Sequence, residues 1–504
     1  MEAIDLAYQA WTGEARALGY VPTCPEEGVA IEGDFARIQR FVLRPVPGAS
    51  GAARRLRARS FRVLALTRAV AEAVIGRFRH AGAQLFYSAG GRFLVVTRPD
   101  ANWADHLSKL QQELDEDLFT AYRGELVFHL AGARFTDGRI PVRLLGSEMR
   151  ARKQRPLAAA LRSTDGWATD RFLFSADGAA KCNGCASTAV LSGEIEPLCQ
   201  TCTDDRELGR ILLNTSRTCL QRSANGFITL LGQGWTVASD GDITVGLIHH
   251  QPRARNGLGP ATFEELSELA TGRRYLAYLK IDADRIGEQF RELSGDPTQI
   301  WGLSRLLDHA FSAAVENLLR ERFPSLYPVF GGGDDLFLIG PWDQVLNFVA
   351  AWRSKFRDIS RGKLTFSAGL ALAKPRQHIL SKSEEAAHAL TEAKAQRDSF
   401  HGLGATMPWS EFDDAYACAR ELAKLHAEGG IRSALLHNIV ELHNRFLKGD
   451  KRWHYLLSYQ VERNVGGPAK DFLKRSFLAP GAAWKHAGFA ARFAMLSTAG
   501  EGSD

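Results

Sequence analysis

Long apolar runs are missing from this 504-residue chain. No uninterrupted stretch reaches the ~18 residues that a membrane span needs. No basic-then-apolar leader opens it either, since MEAIDLAYQAW is acidic first. A cytoplasmic protein without a membrane partner is expected. Cysteine is scarce, and its seven copies are an odd number, which excludes a fully paired disulfide framework. Neither charge sign dominates: 63 Lys and Arg stand against 57 Asp and Glu, for a net +6. That balance is too mild to identify a nucleic-acid partner, though it suits one. None of the 14 histidines is followed by Asp, so the His-Asp dipeptide of metal-dependent phosphohydrolases is absent. What remains is ordinary globular material, 45% hydrophobic and 24% charged, long enough for three or four domains of roughly 150 residues.

Hydrophobic patterning divides the chain. Residues 1–27 read as a short helical lead-in. Then come a strand near Val29-Ala30-Ile31, an Arg-dense turn at Arg54, Arg55, Arg57, Arg59 and Arg62, and a helix over 60–80. A hairpin follows over 85–96 around Gly90-Gly91, then a helix over 102–121 and a strand at 126–132. This βαββαβ order is ferredoxin-like. It recurs at 275–397, with a second hairpin, YPVFGGGDDLFLI, over 327–339. Three collinear matches tie the copies together. Asp34-x-x-Arg37-Ile38 mirrors Asp282-x-x-Arg285-Ile286, Gly90-Gly91 mirrors Gly332-Gly333, and RGELVF at 123–128 mirrors RGKLTF at 361–366. An internal duplication is inferred. The expected fold class is α+β: a degenerate first palm over 28–150, a linker domain over 151–268, a second palm over 269–407 and a helical domain over 408–504. The final TAGEGSD is expected to fray.

Chemistry concentrates in the second copy. Asp282 ends an apolar strand, and Asp334 and Asp335 sit in the hairpin turn after three glycines. Both places fall on one sheet edge, where gathered carboxylates repel one another unless cations lie between them. An all-oxygen set favours magnesium or manganese. Two such ions roughly 4 Å apart suit a triphosphate and its attacking hydroxyl. Gly332 and Gly333, lacking Cβ atoms, let a nucleotide approach the backbone. Asp284, Arg285, Ile286 and Lys394 complete the expected nucleotide site, the lysine as a point charge for phosphate. In the first copy, Arg92 and Phe93 stand in place of Asp334 and Asp335, Ala36 replaces Asp284, and only Asp34 remains. That copy is expected to hold no catalytic metal. It either shapes half of a pocket for an acceptor nucleotide or is a structural relic.

Between the copies, Cys182-x-x-Cys185 and Cys199-x-x-Cys202 are thirteen residues apart, a spacing that closes a tetrahedral, structural zinc site. Cys24, Cys219 and Cys418 are isolated and read as packing residues. Arg54, Arg55, Arg57 and Arg59 are candidate RNA contacts, and they and the clusters at Arg150, Arg152, Lys153 and Arg155 and at Lys448, Lys451 and Arg452 suit RNA phosphate or a protein partner.

Taken in order, VAIEGDFARIQRF, RRLRARSF, LFYSAGGRF, the cysteine pairs, LKIDADRIG, FGGGDDLFLIG, EAAHALTEAKAQRDSF and MPWSEF resemble the large subunit of type III CRISPR effector complexes, nearest its Csm-type branch. The resemblance covers roughly residues 28–480. It implies two cyclase-like palms, a zinc module and a helical C-terminal domain. It also implies synthesis of cyclic oligoadenylate from ATP once target RNA binds, with catalysis at Gly332, Gly333, Asp334 and Asp335, the first metal ligand at Asp282 and a phosphate-facing Lys394. Implied partners are guide RNA, target RNA and the backbone, small and guide-end capping subunits. Many members begin with an HD nuclease domain. With the first palm starting near residue 28 and no His-Asp pair, HD-type DNA cleavage is not expected. Two other readings stay open: a scaffold whose nucleotide site only regulates, and a nucleotidyltransferase with a different product.

Overall fold

The structure is a computed structural model that describes residues 2–13, 22–44, 51–158, 179–192, 197–215, 217–241, 243–257, 259–479 and 484–498. The C-terminal run expected to fray lies outside them from residue 499 onward.

The first repeat builds strand β1 (Gly28–Ala36), the short helix α2 (Ile38–Val42), the long α3 (Ala52–Arg77), the hairpin β2 (Gln84–Ala89) and β3 (Arg92–Thr97), α4 (Trp103–Tyr122), β4 (Val127–Phe135) and α5 (Val142–Lys153). Its sheet runs β2-β3-β1-β4, all antiparallel. The lead-in helix α1 (Glu2–Thr12) precedes it. Helix α5 crosses the domain boundary expected at 150/151, and its last residue, Lys153, belongs to the first palm's chemistry.

The middle region holds a three-stranded sheet, β5 (Ala179–Lys181), β6 (Thr188–Ser192) and β7 (Leu198–Cys199), followed by α6 (Gln200–Leu213). A four-stranded sheet follows, formed by β8 (Cys219–Arg222), β9 (Ile228–Leu230), β10 (Gln233–Ala238) and β11 (Ile243–Thr244), and then a short helix α7 (Phe263–Ser267).

The second repeat places β12 (Leu276–Ala283), α8 (Ile286–Glu292), α9 (Pro297–His309) and α10 (Val315–Arg322) before the hairpin β13 (Tyr327–Gly332) and β14 (Asp335–Pro341). Then come α11 (Trp342–Ile359), β15 (Phe366–Ala373), α12 (Ile379–Gln396) and a second hairpin, β16 (Ser399–Gly402) and β17 (Ala405–Pro408). The sheet order is β13-β14-β12-β15-β16-β17, the first four strands repeating the arrangement of the first palm. Helices α13 (Trp409–Ala427), α14 (Ser433–Leu447), α15 (Trp453–Asn464), α16 (Gly467–Leu473) and α17 (Ala487–Ser497) close the chain.

Backbone geometry confirms the duplication at matched positions. Arg37 and Arg285 both take left-handed φ values, 65° and 58°, just before a short helix. Arg123 and Arg361 both sit at φ 50° ahead of the last palm strand. The hairpin strands carry the same bulge, at Leu85/Tyr87 and at Pro328/Phe330. These landmarks move the hairpin alignment by one residue. Asp34 faces Arg92 across the sheet as Asp282 faces Asp335, and Phe35 N–H donates to Gly91 O as Ala283 N–H does to Asp334 O. The residues in place of Asp334 and Asp335 are therefore Gly91 and Arg92, not Arg92 and Phe93.

The palms exchange helices. Helix α3 covers one face of the first sheet and also meets the second, where the Tyr327 hydroxyl donates to Ala53 O at 2.8 Å. In return, Ile300 of α9 packs among Ala30, Leu94, Val96 and Phe135 on the other face of the first sheet. β1 is consequently buried almost throughout instead of alternating, because both of its faces are covered. This sandwiching corrects the reading of the arginine cluster. Arg55, Arg57 and Arg59 are at most 1% exposed inside α3, and Arg54 is half-buried there. Arg59 and Arg62 donate to the Asp205 carboxylate of α6 at 2.8 and 2.9 Å, and Arg57 lies beside Tyr327 and Glu316. A run of charge on a helix reads as solvated surface by default. Here it is an internal fastening between the first palm, the second palm and the cysteine module.

Candidate active site at the junction of the palms

Asp282 is the penultimate residue of β12 and pairs in register with Asp335, the first residue of β14. Asp334 precedes it in the turn. Gly332 (φ 143°) and Gly333 (φ 64°) shape that turn in the region that disfavours side chains. The three expected carboxylates therefore converge. Burial, a hydrogen bond with Asp282 and the charges of Asp334 and Asp282 push the Asp335 carboxyl well above the ordinary range. Asp334 is raised by burial and then by Asp282, with Arg92 of the first palm and Lys394 pulling the other way. Lys394, near the end of α12, reaches Asp282 at 2.5 Å. Three acids against one adjacent ammonium leave an excess of negative charge that suits divalent cations.

A cavity of about 480 Å³ opens between the palms. From the second palm it is lined by Gly332, Gly333, Asp334, Asp335, Ile286 and Ser304, and from the first by Asp34, Ser60, Tyr87, Gly90, Arg92 and Lys153. The hairpin tips nearly touch, for a Cβ on Gly90 would lie 3.2 Å from Gly332 O. Two expected residues fall elsewhere. Asp284 turns away: its carboxylate accepts from Ser367 Oγ (2.7 Å), Thr365 Oγ1 (2.9 Å) and the Asp398 backbone N–H (2.9 Å), binding the loop after α12 to β15. The strand ends at Ala283, so its alternation does not carry Asp284 to the side of Asp282. Arg285 is exposed, faces Glu288 and does not line the cavity. Ile286 does line it.

The first palm's site is electrostatically closed. Asp34 accepts from Arg92 Nη2 at 2.8 Å and from Lys153 Nζ at 2.6 Å, and Glu32 lies 3.4 Å from Arg92 Nε. Lys153 ends α5 as Lys394 nears the end of α12, so each palm's helix aims a lysine at the matched strand-end aspartate. The sequence groups Lys153 with Arg150, Arg152 and Arg155 as a candidate contact cluster, whereas it faces Asp34. Extending the repeat alignment past β4 would have found it.

Two more side chains escaped the sequence. Ser304 is 8% exposed, lines the cavity and has an Oγ without a hydrogen-bond partner among the described residues. Asp308, at the end of α9, accepts the Gly333 backbone N–H, and burial pushes its carboxyl up. The helix then widens into a π turn at Ala310–Ala314, a local irregularity that periodicity does not announce.

The four cysteine sulfurs of 182, 185, 199 and 202 lie within 4.8 Å of one another, all buried. Backbone N–H groups of Gly184 and Cys199 point at Cys182 Sγ (3.3 and 3.2 Å), and Arg59 Nη2 donates to Cys202 Sγ at 3.5 Å. Donors aimed at sulfur suit thiolates around one soft ion.

Comparison with known proteins gives consistent relatives. Residues 275–401 match the family described as Cas10/Cmr2, second palm domain, and 29–153 match Csm1 subunit domain B. A Thermococcus onnurineus protein named CRISPR system single-strand-specific deoxyribonuclease Cas10/Csm1 (subtype III-A) is 26% identical over 86% of this chain and 64% of its own length. Its Mycobacterium tuberculosis namesake is 24% identical over 87% and 62%. The chain thus spans less than two thirds of these relatives. A solved Csm1-Csm4 cassette in complex with AMPPNP superposes with a TM-score of 0.69 at 18% identity, covering 94% of this chain and 70% of that one. A cassette in complex with cA3 gives 0.69 at 18%, covering 97% and 72%. At such identity the likeness shows the fold alone.

Proposed function

The chain is a homologue of the Csm-type large subunit of type III CRISPR effector complexes, and from that premise we propose that its paired, ferredoxin-like palms join ATP into cyclic oligoadenylate within such a complex. The observation that carries the reading is the convergence of Asp282, Asp334 and Asp335 beside a cavity walled by both palms. One ATP lies over the Gly332-Gly333 turn, where the absent Cβ atoms admit its phosphates. A second lies against the first palm and turns its 3′ hydroxyl toward the α-phosphorus of the first. Attack forms a 3′–5′ bond and releases pyrophosphate, and repetition with ring closure gives the cyclic product. Lys394 offsets charge at Asp282, and Asp308 holds the turn through the Gly333 N–H. The Ser304 hydroxyl is available to a base edge.

The carboxylate excess fits two magnesium or manganese ions held by Asp282, Asp334 and Asp335, which when bound supply the positive charge that activates the hydroxyl and steadies the departing pyrophosphate. The four-sulfur cage fits a structural zinc with no open position. Solved Csm1-Csm4 structures contain cA3, cA4 and ATP, and one is described as a subcomplex of the type III-A interference complex. By similarity, the partners of this chain are other type III subunits, guide RNA and target RNA. With Arg55, Arg57 and Arg59 enclosed, exposed cations such as Lys448, Lys451 and Arg452 take over as RNA-contact candidates. The relatives' names specify a deoxyribonuclease, whereas these 504 residues contain no His-Asp pair for HD-type cleavage.

The test is incubation of the assembled complex with ATP, magnesium and cognate RNA, followed by product mass analysis with all four nucleotides present. Asp334→Ala with Asp335→Ala is expected to abolish the product while assembly persists. Unchanged product from that variant overturns the site, and a non-adenylate product overturns the substrate assignment.

A further inference from the structure

Two residues ahead of the matched aspartates Asp34 and Asp282, the repeats carry opposite charges: Glu32 in β1 and Lys280 in β12. Their diagonal neighbours across the sheet are Arg92 and Asp335. The palms thus share one diagonal ion pair with its signs exchanged. Glu32 lies 3.4 Å from Arg92 Nε in the first, and Asp335 is the strongest opposite charge acting on Lys280 in the second.

Lys280 sits on the face of β12 that turns Leu276 and Tyr278 into the core shared with the first palm. It is 4% exposed, and its Nζ lies 5.2 Å from the centre of the Phe337 ring. Burial works against its charge, while Asp335 and then Glu384 support it. Burying an ammonium is costly, and a methionine would fill the same space without that cost. Packing alone therefore does not account for a lysine here. Its hydrogen-bond partner is in the other palm: Nζ donates to Gln39 Oε1 at 2.8 Å, across 241 positions of sequence.

Gln39 belongs to α2, whose Ile38, Gln39, Arg40 and Val42 line the cavity. The cysteine-module side of this short helix is fastened separately. Arg59 Nη1 donates to Phe41 O at 3.0 Å, and Arg44 Nε, just past the helix, donates to Cys185 O at 3.2 Å. From the acidic sheet, Lys280 is the side chain that reaches it.

We propose that Lys280 is a positioning residue for the synthetic site, gripping Gln39 so that α2 of the first palm keeps a fixed stance against the strand that carries Asp282. The proposal rests on the synthetase reading and adds to it the contact that sets the spacing of the palms at the cavity. Lys280 and Asp282 leave one strand face two residues apart, about 7 Å along it. Any shift of Gln39 relative to Nζ is therefore a shift of the cavity wall relative to the acids. Misplacing reactants by about 1 Å can cost about a hundredfold in rate.

The test is steady-state kinetics of cyclic-product formation by the assembled complex, together with amide hydrogen exchange of the full-length chain. Lys280→Met should lower kcat about tenfold or more while KM for ATP stays within about twofold. Gln39→Ala should do the same, and because Gln39 is exposed it keeps the test alive should the buried variant fail to fold. The double variant should be no slower than the slower single one, since both remove the same hydrogen bond. Lys280→Arg keeps a charged donor and should recover most of kcat. Exchange of the Phe41 and Leu43 amides, which close α2, should quicken in Lys280→Met and in Gln39→Ala but not in Lys280→Arg. Losses that multiply in the double variant overturn the proposal. So do an unchanged kcat in either single variant, an effect confined to KM, or the absence of rescue by arginine. A complex that makes no cyclic product at all refutes the synthetase reading. The exchange measurement then still decides the tether, and α2 amides unchanged in both single variants overturn it.

Discussion

The first and second palms share a sheet order, a bulge, two left-handed arginines and a helix that delivers a lysine, yet only the second concentrates acid. The contrast shows how few side chains separate two otherwise matching frames. Replacing Asp334 and Asp335 by Gly91 and Arg92 leaves the hairpin intact and inverts its charge. What distinguishes the palms is local charge: three carboxylates beside one lysine at the second, two carboxylates paired with Arg92 and Lys153 at the first.

Four experiments would break or sharpen this contrast. The largest effect belongs to Asp334→Ala with Asp335→Ala, expected to cut cyclic-product formation by at least about a hundredfold, since the charge-stabilising site is lost. Equal loss from Arg92→Gln would erase the proposed asymmetry.

Next comes the fastening of the first palm to the cysteine module. Asp205→Ala would leave Arg59 and Arg62 as buried, unpaired cations. Removing one partner of a buried ion cluster typically costs about 3–5 kcal/mol. Denaturant unfolding would read this, and a loss below about 1 kcal/mol would show that α3 is held by apolar packing instead.

Third, Asp308→Ala strands the Gly333 N–H, a loss of about 1–3 kcal/mol at the turn. It should lower turnover more than it raises KM. Asp308→Asn keeps an acceptor oxygen and should restore most activity, and failure of that rescue would assign Asp308 a role in charge.

The smallest effect is in pH. Asp334 and Asp335 have raised folded-state pKa values, so their stabilising protonation is present at low pH and is lost as pH rises through those values. Magnesium competes with those protons. Its stabilisation of the protein should therefore grow as pH climbs above the ordinary carboxylate range near ~4. A magnesium-induced Tm shift that is flat with pH would count against the carboxylate cluster as the binding place.

Much of this was legible in the sequence, for identifiable reasons. Short-period patterns and glycine-bounded hairpins revealed both repeats, and the three acids were readable because strand ends on one edge of a small sheet are neighbours. Illegibility began where tertiary packing overrode local expectation. The arginines of α3 look like surface until a second palm and a cysteine module close over them. Asp284 looks like part of the site until the strand ends one residue earlier. Gly90-Gly91 invites alignment with Gly332-Gly333 by identity, whereas the bulges and cross-strand partners set the register one residue along. Lys153 was hidden by its basic neighbours, although its place in the repeat gives its role.

The edge of the second sheet continues without a seam into the C-terminal helices. Trp409 donates its indole N–H to Phe366 O at 2.7 Å, one register step from Asp282, and its ring neighbours Phe366, Phe400 and Phe412 lead on to Phe489. A fragment cut after Pro408 would bare that aromatic seam to water and should clump instead of folding. The second palm is therefore expected to depend on the C-terminal helices for its folding, and a pull on those helices would reach the acidic strand end through interlocked rings.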